Sequence, residues 1–505
     1  MNSISSFSDL LPLSPMLIVI ATAIVLMLLI GIRRSYVGTS ATAITGLLLA
    51  TIVAAAMLPY TNQQVTPLLI VDQYSLFFTP IICALAMFIA ILSFPYLFRL
   101  NDDKEEYYLL LTVATVGAII MVSSNHFIST ILGLETLSMA LYGMVAYPLH
   151  CKESAKYPLE AAVKYLVLSA VATSFILFGM ALLYAKTGTL AFSNVTTAHE
   201  LEAGATYIGV TNIGPMQGLS DNYTIIALLL IIAGIAFKLS LAPFHMWTPD
   251  VYEGSPLPAT AYLATVGKAA MFVVLLRFLE ISDALAFDSV VTAFTLVASL
   301  SILVGNLLAL LQDNLKRILA YSSIAHMGYL LIAVIASQYL AGTISVEAVT
   351  FYLIAYVIMT LGAFGVASVI SSSEKEFDEV SDYRGLFWRE PWLAGIFTAM
   401  LLSLAGIPLT VGFIGKFYLV LAGVESGLWV LLGVLVVGSG IGLYYYLRIV
   451  YRMLLPQRDA FAYREAGIES LSSYGVLALL LLLLVVLGIY PTPLMTLIQS
   501  VAAVI

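Results

Sequence analysis

Apolar runs long enough to cross a bilayer recur along this chain, and that recurrence limits the fold more than any single motif. The runs predict helices over 15–33, 39–58, 76–98, 107–123, 126–147, 160–186, 223–247, 256–281, 287–311, 317–337, 345–371, 391–421, 427–453 and 472–497. A spanning helix needs about 20 apolar residues, so this is a fold of about fourteen transmembrane helices. Only 10% of the 505 residues are charged and 61% are hydrophobic, whereas a soluble domain carries roughly 25% charged residues. So few charges cannot cover a soluble protein of this size. The expected fold is therefore an all-α polytopic membrane protein with short loops and no separate soluble domain. The stretch before Ser14 has no Lys or Arg, so the first run reads as a retained helix and not as a cleaved signal peptide.

The basic residues test that helix count. If the helices alternate in direction, one set of loops should collect the Lys and Arg. Arg33, Arg34, Arg99, Lys104, Lys152, Lys156, Lys316, Arg317, Lys375, Arg384, Arg389, Arg448, Arg452, Arg458 and Arg464 all fall in or beside loops of one set, 15 of the 21 basic residues. The opposite loops have none, including Thr187–Asn222. A wrong count would scramble this order. The basic side is cytoplasmic by the same rule, so both termini are expected on the far side, which for a bacterial inner membrane is the periplasm. Lys186 and Arg277 lie near the outer ends of their helices and are expected to snorkel.

Internal repetition sets the expected organisation. Leu239-Ser240-Leu241-Ala242 is followed by Pro243, and the same four residue types recur at Leu402-Ser403-Leu404-Ala405, with Gly406 and Pro408 just after. The two copies fall on helices 7 and 12, which cross in opposite directions. Paired interrupted helices of opposite polarity mark inverted-topology repeats. The expected division is 1–106 for helices 1–3, 107–281 for a first five-helix repeat, 282–453 for an inverted second, and 454–505 for the last loop and helix 14.

Four lysines remain inside the apolar spans: Lys164, Lys238, Lys268 and Lys416. An ionised Lys at mid-bilayer costs about 2.5–3.5 kcal/mol even on the gentler scales, so such residues pair, meet water or mark an ion path. Lys238 lies five residues before Pro243, which deprives a carbonyl of its donor, and unwound backbone is tolerated only against protein or water. Lys268 is near the middle of helix 8, and Lys416 follows the Pro408 break. Glu135, about 14 Å into helix 5 at helical rise, is the one acid in the middle of a span, and a carboxylate whose distance from a lysine changes can control that lysine's proton affinity. Lys164 sits only about two turns from the basic end with Glu160 at i−4, so a local ion pair competes with a relay role. His245, two residues after Pro243, is placed to pass protons between Lys238 and Lys268 or to be merely interfacial. His326 reads either as a relay or as a polar packing residue, His126 as interfacial, and His150 and His199 as loop residues.

Cys83 and Cys151 have no ligand spacing, which leaves a disulfide framework, an iron–sulfur cluster and a zinc site unsupported. No nucleotide fingerprint, catalytic triad or facing histidine pair stands out. No cofactor or metal site is expected in this chain, and no nucleic-acid partner. Such a chain cannot itself perform redox chemistry.

Two segments are far more specific than the composition. Phe237-Lys-Leu-Ser-Leu-Ala-Pro-Phe-His-Met-Trp-Thr-Pro-Asp250 and Leu404-Ala-Gly-Ile-Pro-Leu-Thr-Val-Gly-Phe-Ile-Gly-Lys-Phe417 resemble the signatures of the antiporter-like, proton-translocating membrane subunits of respiratory complex I, the NADH:quinone oxidoreductase. Tyr321-Ser-Ser-Ile-Ala-His-Met-Gly328 and Asp382-Tyr-Arg-Gly-Leu-Phe387 agree, and the likeness covers essentially the whole chain. The resemblance implies fourteen helices with inverted repeats and discontinuous helices 7 and 12. It also implies proton transfer through Glu135, Lys238, Lys268 as a connecting lysine and Lys416 on the exit side. FMN, iron–sulfur clusters and quinone would then belong to partner subunits, and the nearest partners would be other antiporter-like subunits. The end at Ile505, directly after the last run, favours the family members without a long lateral helix. Helix 10 has no central acid or lysine, so the two repeats are chemically unequal. A subunit of a cation/proton antiporter, a hydrogenase- or formate-linked complex, and a non-conducting scaffold remain as alternatives.

Overall fold

The computed structural model describes residues 7–59, 63–98, 104–147, 156–192, 221–340, 344–371, 376–456 and 471–502. Arg99, His150, Cys151, Lys152, His199, Lys375, Arg458 and Arg464 lie outside the described residues, as does 193–220 within the long loop. The chain is helical almost throughout. Helices α1 (Ser14–Ile32), α2 (Tyr36–Ala56) and α3 (Gln73–Leu97) come first, with a two-residue β-hairpin, Gln63–Gln64 with Ile70–Val71, in the loop between the last two. Then follow α4 (Glu106–Val122), α5 (Phe127–Val145), α6 (Lys156–Thr187) and α7 (Asp221–Lys238). The closely spaced α4 and α5 are separate, as predicted. They cross tightly: a Cβ on Gly117 would lie 2.6 Å from the Leu137 backbone nitrogen, so the small side chain is what lets the backbones approach.

After α7 the chain is irregular until α8 (Trp247–Gly254). Next, α9 (Leu257–Tyr262), a π-helical turn (Leu263–Gly267) and α10 (Lys268–Ser282) form one continuous rod. The second half contains α11 (Asp288–Leu310), α12 (Leu315–Ala336), α13 (Ile344–Ile370), the short α14 (Leu386–Arg389), α15 (Pro391–Ala405), α16 (Val411–Glu425), α17 (Trp429–Leu454), α18 (Leu471–Ile489) and α19 (Thr492–Ala502). Among the described residues, eleven helices are long and apolar enough to span a membrane, and three shorter apolar ones, in α4, α7 and α15, complete the predicted fourteen. The protein is a multi-pass membrane protein.

Burial divides the helices into two classes. The α9–α10 rod, α12 and α13 are almost wholly enclosed, whereas α1, α2, α6, α11, α17 and α18 bury only 22–39% of their apolar spans. The outer helices offer residues such as Val167, Phe178, Leu296, Val436 and Leu482 to the surroundings, which suits lipid. Polar groups on the inner helices are thereby shielded from lipid by protein.

The basic loops do gather at one end. Arg34 pairs with Glu106 at 2.7 Å, Arg448 donates to the carbonyls of Leu310 and Gln312, and Arg384 and Trp388 donate to Pro456 and Leu454. Each bond joins loops that the alternation had placed on the same side.

Several expectations need correction. Helix 7, predicted to reach 247, ends at Lys238. Pro243 clashes with the carbonyl four residues earlier, and that residue is Leu239, the first one outside the helix. Helix 14, predicted to reach 497, stops at Ile489, before Pro491 and Pro493, and α19 starts a separate amphipathic helix that buries Met495, Ile498 and Val501. Arg277 does not snorkel: it is 2% exposed and pairs at 2.8 Å with Asp72, the N-cap of α3.

Candidate functional site

Helix α7 closes with a Schellman motif. The Leu241 N–H donates to Ala236 O and the Ser240 N–H to Phe237 O, with Ser240 left-handed at φ 64°, the arrangement that satisfies the last carbonyls of a helix. Helix α15 closes in the same way around Gly406, φ 88°, with Ile407 N–H on Leu402 O and Gly406 N–H on Ser403 O. The repeated four-residue string is therefore not equivalent in its two settings. At 239–242 it is the break itself, while at 402–405 it is the last helical turn.

Each break has a lysine beside it, but only Lys416 places its ammonium on helix C-terminal carbonyls, the negative end of a helix dipole. Lys238 is the last residue of α7, and its Nζ donates to Ser138 Oγ on α5 at 3.0 Å and Ser169 Oγ on α6 at 2.5 Å. Ser169 also accepts from Tyr142 OH at 2.7 Å. Glu135, one turn before Ser138, accepts instead from Thr173 Oγ1 at 2.8 Å. Glu135 and Lys238 are thus neighbours across a serine–threonine layer and form no direct ion pair. Glu135 is partly exposed on a face that also shows Leu132 and Met139.

The irregular segment after Lys238 and the first turn of α8 carry buried polar atoms with no hydrogen-bond partner among the described residues, Ser240 Oγ and Thr248 Oγ1. A buried unpaired polar group costs about 1–3 kcal/mol, so this stretch suits ordered water. Sequence reasoning placed His245 at the end of a helix. It lies in the break itself, its ring 6.5 Å from that of Tyr321.

Lys268 directly follows the π-helical turn, a feature common at functional sites. Its Nζ donates to Ser323 Oγ at 2.5 Å and lies 5.8 Å from the Tyr252 ring centre. Ser323 shares a hydrogen bond with Tyr356 OH, which donates to the Ala264 carbonyl of that turn at 3.0 Å. His326, one turn below Ser323, bonds Tyr352 OH at 2.7 Å and Tyr446 OH at 3.3 Å and packs against Tyr356 and Tyr329. Lys416 Nζ lies 5.3 Å from the Tyr329 ring centre and donates to Leu404 O at 3.1 Å and Ala405 O at 2.9 Å. Tyr329 OH accepts from Asn306, whose amide oxygen accepts from Tyr445. The tyrosine cage was not singled out from the sequence; its only trace there is Tyr329 beside His326.

Lys164 stands apart from this row. It is 41% exposed and pairs with Glu160 at 2.8 Å and Asp250 at 2.9 Å, beside a cleft of about 160 Å³ also lined by Tyr157 and Glu253. Arg317 binds Asp250 at 3.0 Å and Glu253 at 2.7 Å. Burial pushes the Asp250 carboxyl up, but the bonds from Lys164 and Arg317 outweigh it and hold its pKa below the ordinary value. His126 caps α5, its ring nitrogen accepting from Ile128 N–H at 3.2 Å. Lys316, assigned to a loop by the sequence, is only 2% exposed and sits between Glu376 and Asp378.

Among the described residues no group of three or more His, Cys, Asp or Glu is arranged to hold a metal. What the buried row offers is proton chemistry: ammonium, hydroxyl and imidazole groups in succession inside a protein-enclosed layer.

A family model described as NADH:quinone oxidoreductase/Mrp antiporter, TM, matches residues 124–442. Subunit N of the NADH-quinone oxidoreductase of Ectopseudomonas mendocina (strain ymp) is 43% identical over 503 residues, which covers 98% of this chain and 97% of the relative. A chain of respiratory complex I from Thermus thermophilus, solved with bound aureothin, superposes with a TM-score of 0.78 at 31% identity, covering 95% of this chain and 98% of that one. A chain of the Mrp complex from Dietzia sp. DQ12-45-1b has the same fold, with a TM-score of 0.80 at 19% identity over 98% and 97% of the two chains. The chain belongs to the NADH:quinone oxidoreductase/Mrp antiporter membrane-subunit family, and within it to the subunit N group.

Proposed function

We propose that this chain is a proton-translocating membrane-arm subunit of a bacterial NADH:quinone oxidoreductase, residing in the inner membrane with both termini on the periplasmic side. The observation that carries the reading is the enclosed row from Lys238 through Lys268 to Lys416, bracketed by two helix breaks. NADH oxidation and quinone reduction take place in partner subunits that hold the FMN, iron–sulfur clusters and quinone. The energy released there changes the separation of Glu135 from Lys238. A proton then passes through the hydrated break, by way of His245, to Lys268, and through the tyrosine–histidine cage to Lys416. Lys164 serves at the basic-side approach. The partly exposed Glu135 would be poorly tolerated against lipid, which favours a neighbouring antiporter-like subunit on that face. The five-helix blocks 107–281 and 282–453 are inverted repeats that each carry one lysine beside a helix break.

The test is to purify the chain in mild detergent with its natural partners and assay inhibitor-sensitive NADH:quinone reductase activity. Copurified activity, with flavin and iron–sulfur absorbance, is the expected result. Arrival with small membrane partners only, and sodium-dependent transport without any NADH dependence, would assign the chain to a cation/proton antiporter.

A further inference from the structure

The row of buried lysines leaves one enclosed charge cluster unused. Lys316, on the first turn of α12, donates to Ser255 O at 3.1 Å and Glu376 Oε2 at 2.5 Å, and lies 3.3 Å from Asp378 Oδ1. Two of the three ammonium hydrogens are thereby bonded, and Asp378 Oδ1 faces the same charge as an ion-pair partner that accepts no hydrogen bond. Two carboxylates facing one ammonium leave an excess negative charge in a pocket where the lysine is 2% exposed and Glu376 is 16% exposed.

The pocket grades from water inward. Asp378 is 34% exposed, and the Glu376 carboxylate lies behind it. Glu376 Oε1 accepts from Tyr96 OH on α3 and from the Leu257 N–H at 2.9 Å, the first residue of α9. That helix continues through the π turn to Lys268. Lys316 and Ser323, the hydroxyl that holds Lys268, lie seven residues apart on one face of α12, about 10 Å along its axis. The backbone holds the cluster in register: Leu315 N–H donates to Asp378 O at 2.6 Å and Val380 N–H to Asp313 O at 2.9 Å.

We infer that Asp378 and Glu376, held on Lys316, form a proton-loading site at the basic-loop face that supplies the Lys268 segment of the path. This inference rests on the proton-translocating reading above. In the loading step a hydronium ion on the cytoplasmic side gives its proton to the Asp378 carboxylate and leaves as water, and the new O–H bond then breaks as the proton passes to the neighbouring Glu376 carboxylate. The charged and titratable groups around Asp378 are Lys316 on α12, Glu376 on its own loop, Glu253 on α8 and Tyr96 on α3; Glu253 in turn pairs with Arg317. Burial, opposed by Lys316 and reinforced by Glu376, raises the Asp378 carboxyl to about 6. It is therefore protonated below that pH and ionised above it, and exchanges protons readily near neutrality. Structural ion-pair clusters also shift proton affinities, so the deciding readout must be kinetic.

The experiment compares NADH-driven proton uptake by membrane vesicles carrying the whole complex, wild type against Asp378→Asn, Asp378→Glu and Lys238→Ala. The pH on the cytoplasmic side is varied from about 5.5 to about 8, from just below the carboxyl to roughly two units above it. Rates are divided by the amount of assembled chain. In the wild type the rate should fall as pH rises above about 6. Asp378→Asn should flatten that limb and lower the rate at least about threefold, while Asp378→Glu, which keeps a titrating carboxyl, restores it. A wild-type profile in Asp378→Asn overturns the proposal, and so does a profile altered equally in Asp378→Glu, since that marks a purely structural clamp. Lys238→Ala separates the two levels: lost pumping there with an unaltered Asp378→Asn profile removes the loading site alone, whereas normal pumping in Lys238→Ala removes the reading on which it rests.

Discussion

Gly406 offers a direct way to move Lys416 without touching it. The glycine ends α15 at φ 88°, a conformation that costs an L-residue roughly 1–2 kcal/mol. Alanine recovers about 0.4–1 kcal/mol of that by restricting the unfolded chain, so the backbone cost alone is on the order of 1 kcal/mol. The second effect is local. A Cβ at this position would lie 2.9 Å from Lys416 Cδ and 3.1 Å from its Nζ, closer than van der Waals contact allows. The lysine is the flexible partner and must retreat from the carbonyls of Leu404 and Ala405, 3.1 and 2.9 Å away. Hydrogen bonds from a charged donor contribute about 1.5–3 kcal/mol each, and rehydration returns part of this. A net loss near 2 kcal/mol lowers occupancy of the native lysine position by roughly 30-fold, since 1.4 kcal/mol is a factor of ten. Gly427 provides the control, because it has φ 70° but a Cβ added there would meet nothing within 4 Å; Gly427→Ala bears the backbone cost alone. NADH-driven pumping by vesicles, corrected for assembled chain, should fall about tenfold or more in Gly406→Ala and little in Gly427→Ala. Equal pumping by the two variants would refute the argument that Lys416 must sit on the α15 carbonyls.

Other perturbations follow from the same geometry. Ser240→Gly relieves a left-handed serine at φ 64° and should raise the unfolding temperature in detergent by about 1–2 °C, for a gain near 1 kcal/mol; an unchanged or lower temperature counts against strain at that cap. Asp72→Ala strands the buried Arg277 guanidinium, and breaking such a pair costs about 3–5 kcal/mol, so the amount of assembled chain should drop sharply. Replacing both partners with apolar residues should recover much of that loss. Lys164→Ala removes two ion pairs of a lysine that is 41% exposed, and pumping should stay within about twofold of wild type because exposed pairs contribute little; a loss as large as that of Lys238→Ala would place Lys164 on the main path.

The sequence is a good guide where one helix explains itself and a poor one where distant segments meet. The fourteen apolar runs and the break before Lys416 are local signals, and they appear in α1 to α18 much as read. The break in helix 7 was signalled by Pro243, but its position depends on the carbonyl that the proline ring excludes, which moves the helix end to Lys238. Arg277 pairs with a residue 205 positions away, and Lys316 with one 60 positions away. Neither partner is visible from helix periodicity, so both basic residues were assigned to surfaces. The same holds at the centre of the site: Lys238 meets Ser138 and Ser169, and Lys268 meets Ser323. In a span rich in small residues, a serine gives no sign of which lysine it faces.

Lys268 is the point on which the proposed proton path most depends, since its ammonium is held by Ser323, which shares a hydrogen bond with Tyr356 beside His326. The most direct measurement is the number of protons moved per NADH oxidised by assembled complexes carrying Lys268→Ala. A lower ratio or rate, with the complex intact and NADH oxidation by the peripheral subunits retained with an artificial acceptor, is the predicted result. A wild-type ratio and rate in fully assembled Lys268→Ala complexes would contradict it and leave the buried lysines as structural residues.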